Sequence, residues 1–231
     1  HMLRAGYPQY GAHVDDSTSY QVYNNITETD SAVTAVKETY GQMILTAEGT
    51  VANTYYYSTS CGVGTTANIW KTAEAETLTY LKSSRLNPES LVKEYGEAMT
   101  ADSSGSVTET RMEDLCDEDT FRNFIETSHK EDYETQEGWY RWTYTVKEID
   151  VDRMAEVLKK RYEANGQQIL TLKDDDYISQ NVKTFSKVKD LTIVKRGPGG
   201  VADELVIVTD KGTFKVISEY NIRAVLCDGV T

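Results

Sequence analysis

The residues with the clearest potential for chemistry lie in the segment YYYSTSCGVGTT, residues 55–66. Cys61 stands between hydroxyl-bearing residues and ahead of a Gly-Val-Gly turn, a setting that could present a nucleophile. A cysteine nucleophile needs a base, usually a histidine, to raise its thiolate fraction. Apart from the terminal histidine, the sequence offers His13 and His129, and neither local setting supports a pairing. The pattern therefore favours Cys61 as a packed residue over a thiol enzyme, which stays an alternative.

Metal and phosphate sites are weaker interpretations of the sequence. His13 with Asp15 and Asp16 could supply ligands, but no second cluster stands at a recognisable spacing. The Gly-Val-Gly sequence lacks the lysine that a phosphate-binding loop requires. We therefore predict no metal and no cofactor.

Carboxylate chemistry is harder to judge from sequence because it depends on burial. Cleavage of a glycosidic bond requires a carboxylic acid that stays protonated in a pocket. Glu48, Glu74 and Glu76 lie near the hydroxyl-rich segment along the chain. The pattern TAEAETLTYL favours a helix surface for the last two.

Composition narrows the class of protein. The chain has 231 residues, 39% hydrophobic and 26% charged, which predicts a soluble globular protein with a substantial core. A formal charge of −13 argues against a nucleic-acid partner, because duplex binding needs a basic face. The chain has sixteen tyrosines against four phenylalanines. Tyrosine combines an apolar ring face with a hydroxyl, which suits partly hydrated surfaces that bind carbohydrate, although tyrosines on solvent-facing strands are the simpler interpretation. An odd number of cysteines, three, argues against a disulfide framework.

The first part of the chain predicts short strands around one helix. Residues 19–23 alternate like a strand, and residues 31–41 have helical spacing that ends at Gly41. Residues 42–59 predict two strands joined by a turn. Residues 88–137 are acidic and polar, with a short amphipathic helix at residues 121–125, and indicate an insertion or lid.

The second part has the stronger patterns. Residues 139–149 alternate like a strand, and residues 150–166 predict a helix that Asp150 or Asp152 could cap. Residues 188–226 predict three strands separated by Gly-Pro-Gly-Gly and Asp-Lys-Gly turns. The predicted class is α+β, largely antiparallel β with a few helices and an acidic, partly helical insertion.

Taken in order, these motifs resemble the stage II sporulation protein D family, whose domain also occurs in amidase enhancers of bacterial cell walls. The matching residues are Gln21, Tyr23, Thr39, Gly41, Tyr57 to Gly62, Thr65, Trp70, Tyr80 and Leu81. The YRW sequence at 140–142 and the C-terminal strands resemble the family's second half. The resemblance divides the domain into residues 1–87 and 138–231 around the insertion at 88–137.

The resemblance implies a lytic transglycosylase that cleaves peptidoglycan glycan strands stripped of their stem peptides. One glutamate would protonate the leaving oxygen and then deprotonate the attacking hydroxyl. The implied substrate-binding residues would hydrogen-bond or stack on sugars, although the hydroxyls could instead cap turns. They are Gln21, Tyr23, Tyr57, Ser58, Thr59, Ser60, Gly62, Thr65 and Trp70.

Three departures modify this expectation. The family's catalytic glutamate stands upstream of the Gln-x-Tyr turn, so we expect this chain to lack it and to be inactive alone. Cys61 replaces a family glycine, and His13 lacks the cysteine that accompanies it in zinc-binding relatives. The alternative function is a non-catalytic amidase-enhancer or wall-binding module.

The resemblance also implies a place and partners for the protein. It would act outside the cytoplasm, in or near the cell wall, and would meet the membrane only through an anchor that this chain does not show. Its partners would be glycan strands and other cell-wall hydrolases. An acidic protein at an anionic wall would need local cations, such as Lys37 or Arg141, in its groove.

Overall fold

The chain has an α+β fold in a computed structural model that describes residues 6–17, 26–57, 59–86 and 114–227. The predicted class, with its largely antiparallel sheet, is confirmed. The chain divides into two units, residues 1–54 and residues 55–231. Among the described residues, no helix combines the length and the apolar character needed to cross a membrane.

The first unit contains helix α1, Asp30–Glu38, as the spacing predicts. The Thr29 side chain caps it by accepting a hydrogen bond from the Ala32 amide, and Gly41 follows in the left-handed region at φ 77°. The two strands predicted in 42–59 are wrong, because the structure has a turn closed by one bridge between Leu45 and Val51. A lone hairpin gains little stability without a third strand. The strand predicted at 19–23 lies outside the described residues.

The second unit is built on a five-stranded antiparallel sheet with the order β2-β1-β5-β4-β3. The three strands predicted in the C-terminal part are confirmed, and both predicted turns join them. The first hairpin was not predicted from the sequence, and its turn places Asp174 and Asp175 at positive φ. The strands are β1 Ile169–Lys173, β2 Asp176–Ile178, β3 Val188–Arg196, β4 Ala202–Thr209 and β5 Thr213–Ile217.

The main core lies between one face of this sheet and two helices. Helix α4, Val151–Ala164, begins at Asp150, whose carboxylate accepts from the Arg153 amide at 2.9 Å. The chain after β5 forms helix α5, Glu219–Cys227, which the sequence analysis did not predict. The buried residues of this core are Met154, Ala155, Val157, Leu158, Ile169, Phe185, Leu205, Ile207, Phe214, Val216, Ile222 and Val225.

A second layer of irregular chain and short helices includes residues 59–86 and 114–142. It contains α2, Ala73–Thr77, and α3, Glu118–Glu126, and residues 62–64 pair with residues 84–86. The helix predicted near 121–125 is thereby confirmed. Its own small core comprises Val63, Leu115 and Phe124. Residues 115–124, in the described part of the acidic segment, therefore pack against residues 61–63. The predicted domain boundaries stay predictions.

The strand predicted at 139–149 is wrong, because these residues form turns and irregular chain. In a strand, Tyr140 and Trp142 would share one face. Instead the Tyr140 side chain turns inward and is 3% exposed, while Trp142 is 65% exposed. The alternation of aromatic and polar residues therefore does not mark a β-strand; it includes one buried aromatic side chain, Tyr140, and exposed ones.

The turn between β3 and β4 joins the two layers. The Thr65 hydroxyl donates to the Pro198 carbonyl at 2.7 Å, and a Cβ on Gly199 would stand 2.2 Å from the Gly64 carbonyl oxygen. Gly200, at φ 78°, lies against the Phe121 ring. The Gly-Pro-Gly-Gly sequence is therefore needed for close approach of two backbones as well as for the turn.

We predict that Gly200→Ala destabilises the protein by about 3 kcal/mol, since the new Cβ would lie 1.9 Å from Phe121 at a positive φ. The matched control is Gly212→Ala, which also has a positive φ, 152°, but has nothing within 4 Å of the new Cβ. It should cost about 1 kcal/mol. Urea unfolding measures both, and equal costs would contradict the packing argument.

Candidate functional site

A groove of about 920 Å³ lies in the second unit, between the hydroxyl-rich segment and the chain that follows α3. Its walls come from parts of the sequence about eighty residues apart. The lining residues are Thr59, Ser60, Cys61, Ile125, Glu126, Ser128, Trp139, Tyr140, Arg141, Trp142 and Thr143.

Two exposed indoles stand on one wall of the groove. Trp139 is 72% exposed and Trp142 is 65% exposed, and their ring centroids lie 6.2 Å apart at an interplanar angle of 81°. Large aromatic side chains left in water at neighbouring positions typically mark a binding surface. Neither indole is among the predicted site residues, because the alternation over residues 139–149 indicates a strand. The Trp-x-x-Trp spacing was the signal that could have identified them.

A buried carboxylate, Asp132, supports the floor of the groove. Its side chain accepts from the Arg85 guanidinium at 2.6 Å and from the Tyr140 hydroxyl at 2.7 Å. Burial, followed by this hydrogen bond, raises the pKa of Tyr140 to about 12. The ion pair and the phenol together hold residues 85, 132 and 140 in one place.

Gly62, a predicted site residue, lies directly over this carboxylate. A Cβ at position 62 would stand 1.9 Å from the Asp132 side-chain oxygen, and φ there is 93°. Both the space and the backbone conformation therefore require glycine. Gly62 allows the wall of the groove to approach the buried ion pair.

Arg141, which the sequence analysis considered as a local cation, binds the protein's own backbone. All three guanidinium nitrogens donate to carbonyls, including that of Cys61 at 2.9 Å. Further acceptors are the carbonyls of Phe124 and Thr127 at the end of α3. The guanidinium also stacks on the Tyr140 ring, 3.9 Å from its centroid. Arg141 therefore joins the two walls of the groove.

Two of the predicted sugar-binding hydroxyls make internal hydrogen bonds. The Ser60 hydroxyl donates to the Glu134 carboxylate and accepts from the Gly62 amide at 3.0 Å, and that of Thr65 donates to Pro198. Ser60 still lines the groove beside Thr59. These contacts favour the turn-capping interpretation for Ser60 and Thr65.

The remaining predicted residues are dispersed. Trp70 packs against Tyr55, with ring centroids 4.7 Å apart, and does not line the groove. The Tyr57 side chain is 57% exposed. Burial of the rest of its surface, followed by the charge of the Glu134 carboxylate, raises its pKa. The other three, Gln21, Tyr23 and Ser58, lie outside the described residues.

The Cys61 thiol lacks the environment of a nucleophile. Burial raises the pKa of this thiol, and the nearby Arg141 charge does not offset that effect. The His129 ring lies against Phe124, with one nitrogen 3.3 Å from the Phe124 carbonyl oxygen. A thiol held protonated reacts slowly, so the structure supports a packing role.

The candidate carboxylates of the sequence analysis occupy surface positions. Glu74 and Glu76 lie in the first turn of α2 and are exposed, as the helix-surface interpretation predicts. Glu48 lies in the exposed turn of the first unit, where a hydrogen bond from Thr46 lowers its pKa. Glu126 is the carboxylate that lines the groove. In the described ranges, no three His, Cys, Asp or Glu side chains are grouped so as to hold a metal ion.

Comparison with known proteins gives a family without a known activity. A family model described as a domain of unknown function, DUF8618, matches residues 65–229, which is more than half of the chain. No curated protein and no solved structure matches. The match includes α2, α3, the sheet and most of the groove.

We predict that Cys61 reacts with iodoacetamide at neutral pH at least about ten-fold more slowly than Cys116, because its thiol is more buried and its pKa is raised. Cys116 is exposed and serves as the internal control. Peptide mapping by mass spectrometry measures the two rates separately. Preferential labelling of Cys61 would instead support the thiol-enzyme alternative.

The raised pKa of Tyr140 leads us to predict that the protein loses stability in alkali. This pKa is raised from the ordinary 10.0 to about 12, so the folded state keeps a proton that the unfolded chain releases. This contribution is complete below about pH 10 and disappears by about pH 12, a loss of about 2 to 3 kcal/mol. Urea unfolding of the wild type and Tyr140→Phe across this range should give a steeper decline for the wild type. Parallel curves would contradict the assignment.

Proposed function

We propose that this chain, which belongs to the DUF8618 family, is a glycan-binding module whose groove holds a strand of amino sugars. The observation that carries the proposal is the exposed pair of indoles, Trp139 and Trp142, in a groove that the hydroxyl-bearing residue Thr59 also lines. Indoles stack on the apolar faces of sugar rings, and hydroxyls exchange hydrogen bonds with their polar edges.

The size of the groove and the arrangement of its two rings support a ligand larger than one sugar ring. Its volume of about 920 Å³ lies near the upper end of the range for ligand-binding sites. The two rings are about 6 Å apart and nearly perpendicular, so they present different faces to one ligand. A strand could therefore contact both rings.

The resemblance to the stage II sporulation protein D family suggests peptidoglycan glycan as the polymer. The protein would then act outside the cytoplasm and could position another cell-wall hydrolase on its substrate. We propose peptide-stripped glycan strands as the first ligand to test.

Binding without cleavage is the activity that we propose for this chain. A general acid for glycosidic cleavage needs an apolar pocket that keeps it protonated. Glu126, the carboxylate in the groove, is exposed at the last residue of α3. Its position supports the non-catalytic, wall-binding module over a transglycosylase that uses this groove.

We predict that Trp139→Ala and Trp142→Ala each weaken glycan binding by about five-fold or more, which corresponds to at least about 1 kcal/mol of lost stacking. Trp70→Ala is the matched control, since Trp70 is 40% exposed but lies outside the groove. Calorimetric titration with peptide-stripped strands and with N-acetylglucosamine oligomers measures the affinities.

Two further readouts distinguish the alternatives. In a Trp70→Phe protein the indole fluorescence comes from the groove alone, because the chain has three tryptophans. Its emission should shift to the blue when glycan excludes water. Binding that depends on Trp70 instead of the groove pair would refute the proposed site. Anhydro-sugar ends released by the wild type and lost in Glu126→Gln would show that the protein is an enzyme.

A further inference from the structure

The charges around the groove indicate which sugars it accepts. We infer that the groove prefers amino sugars that carry a free ammonium group to their N-acetylated forms and to anionic sugars. This inference rests on the proposed glycan-binding function and narrows the ligand of the same groove: peptide-stripped strands, which are N-acetylated and carry lactyl carboxylates, should bind more weakly than glucosamine strands with free amines. It depends on three observations about Arg141, the neighbouring carboxylates and the indole pair.

First, the hydrogen-bond donors of the one cation in the groove lining are already bonded to the protein itself. Among the described residues that line the groove, Arg141 is the one lysine or arginine. Its three guanidinium nitrogens donate to backbone carbonyls, and its flat face covers the Tyr140 ring. An anionic sugar would therefore find no guanidinium donor directed toward it. Anion recognition needs such donors.

Second, one carboxylate, that of Glu126, lines the groove with Arg141, and another, that of Glu134, contacts a lining residue. Glu126 lines it and is exposed, and no ion pair between described residues uses its side chain. Glu134 holds the lining residue Ser60 through both its hydroxyl and its amide, the latter at 3.1 Å. The Asp132 charge beneath the floor is matched by Arg85 at 2.6 Å. Among these five groups, the three carboxylates of Glu126, Glu134 and Asp132 exceed the two guanidinium groups of Arg141 and Arg85 by one negative charge.

Third, the indoles add a further attraction for cations. The face of a tryptophan ring carries negative electrostatic potential and attracts ammonium groups. Trp139 and Trp142 are both exposed in the same groove as Glu126. The formal charge of −13 also raises the local concentration of cationic ligands and repels anionic ones. Aromatic faces, a carboxylate and hydroxyls together suit glucosamine units with free amines.

The test compares one oligosaccharide in two chemical states. A glucosamine hexamer and the same hexamer after complete N-acetylation differ only in charge and in the acetyl groups. We expect the free-amine form to bind about five-fold more tightly in low salt, and the difference to shrink as salt is added. An oligomer of uronic acid of equal length should bind more weakly than either.

Matched variants locate the effect. Glu126→Gln should remove most of the preference for the free amine, measured as the ratio of the two hexamers' affinities for the same variant. Glu163→Gln removes the same charge from the exposed side of α4 and should keep the preference. Glu126→Lys should favour the uronic acid oligomer over the free-amine form. Circular dichroism of each variant confirms that the fold is kept.

The outcomes separate this inference from the proposed function. Equal binding of both hexamers, lost in Trp139→Ala, would overturn the ammonium preference and leave glycan binding in place. Failure to bind either hexamer or peptide-stripped strands would overturn both proposals. Tighter binding of a lysine-rich peptide than of the free-amine hexamer would show that the groove recognises basic protein instead of glycan.

Discussion

The ion pair between Asp132 and Arg85 is the interaction on which the second layer of this protein depends. The carboxylate is buried, so it needs a charged partner and further hydrogen bonds, which Arg85 and Tyr140 supply at 2.6 and 2.7 Å. Removing one member would leave an uncompensated buried charge, which typically costs about 3 to 5 kcal/mol. The requirement for glycine at position 62 follows from the same carboxylate. The buried Asp132 carboxylate therefore fixes the relative positions of the chain at residues 62, 85, 132 and 140.

The sheet positions the second layer through two contacts: the turn between β3 and β4, and the buried carboxylate of Asp203. Pro198, Gly199 and Gly200 contact residues 64–65 and α3 so closely that added side-chain atoms would clash. Lys71 pairs with Asp203 on β4 at 2.5 Å, and the Asp203 side chain is buried. The regular core thus holds irregular chain that has few repeating hydrogen bonds of its own. Such an arrangement is common where loops carry binding residues on a rigid scaffold.

Local patterns predicted the parts of this fold that local interactions determine. Helix α4 follows from its apolar stripe and Asp150 cap, and the C-terminal strands follow from alternation and glycine turns. The groove could not be predicted in the same way, because its walls meet only through contacts such as that of Arg141 with Cys61. Asp132 lies in an acidic run that is typical of a solvated surface, and nothing in that run indicates burial. The misassigned strand at 139–149 has the same cause, since the Asp132 bond turns Tyr140 inward.

The wide sequence separation of the two walls has a consequence for the growing polypeptide. A nascent chain that ends before residue 141 contains the hydroxyl-rich segment but lacks the second indole and the arginine that joins the walls. Closing a loop of this length is entropically unfavourable until many other contacts form. Under the proposed function, ligand binding would therefore arise only after both walls have formed. A bound strand, which spans both walls, would in turn act as a tether that stabilises the folded protein.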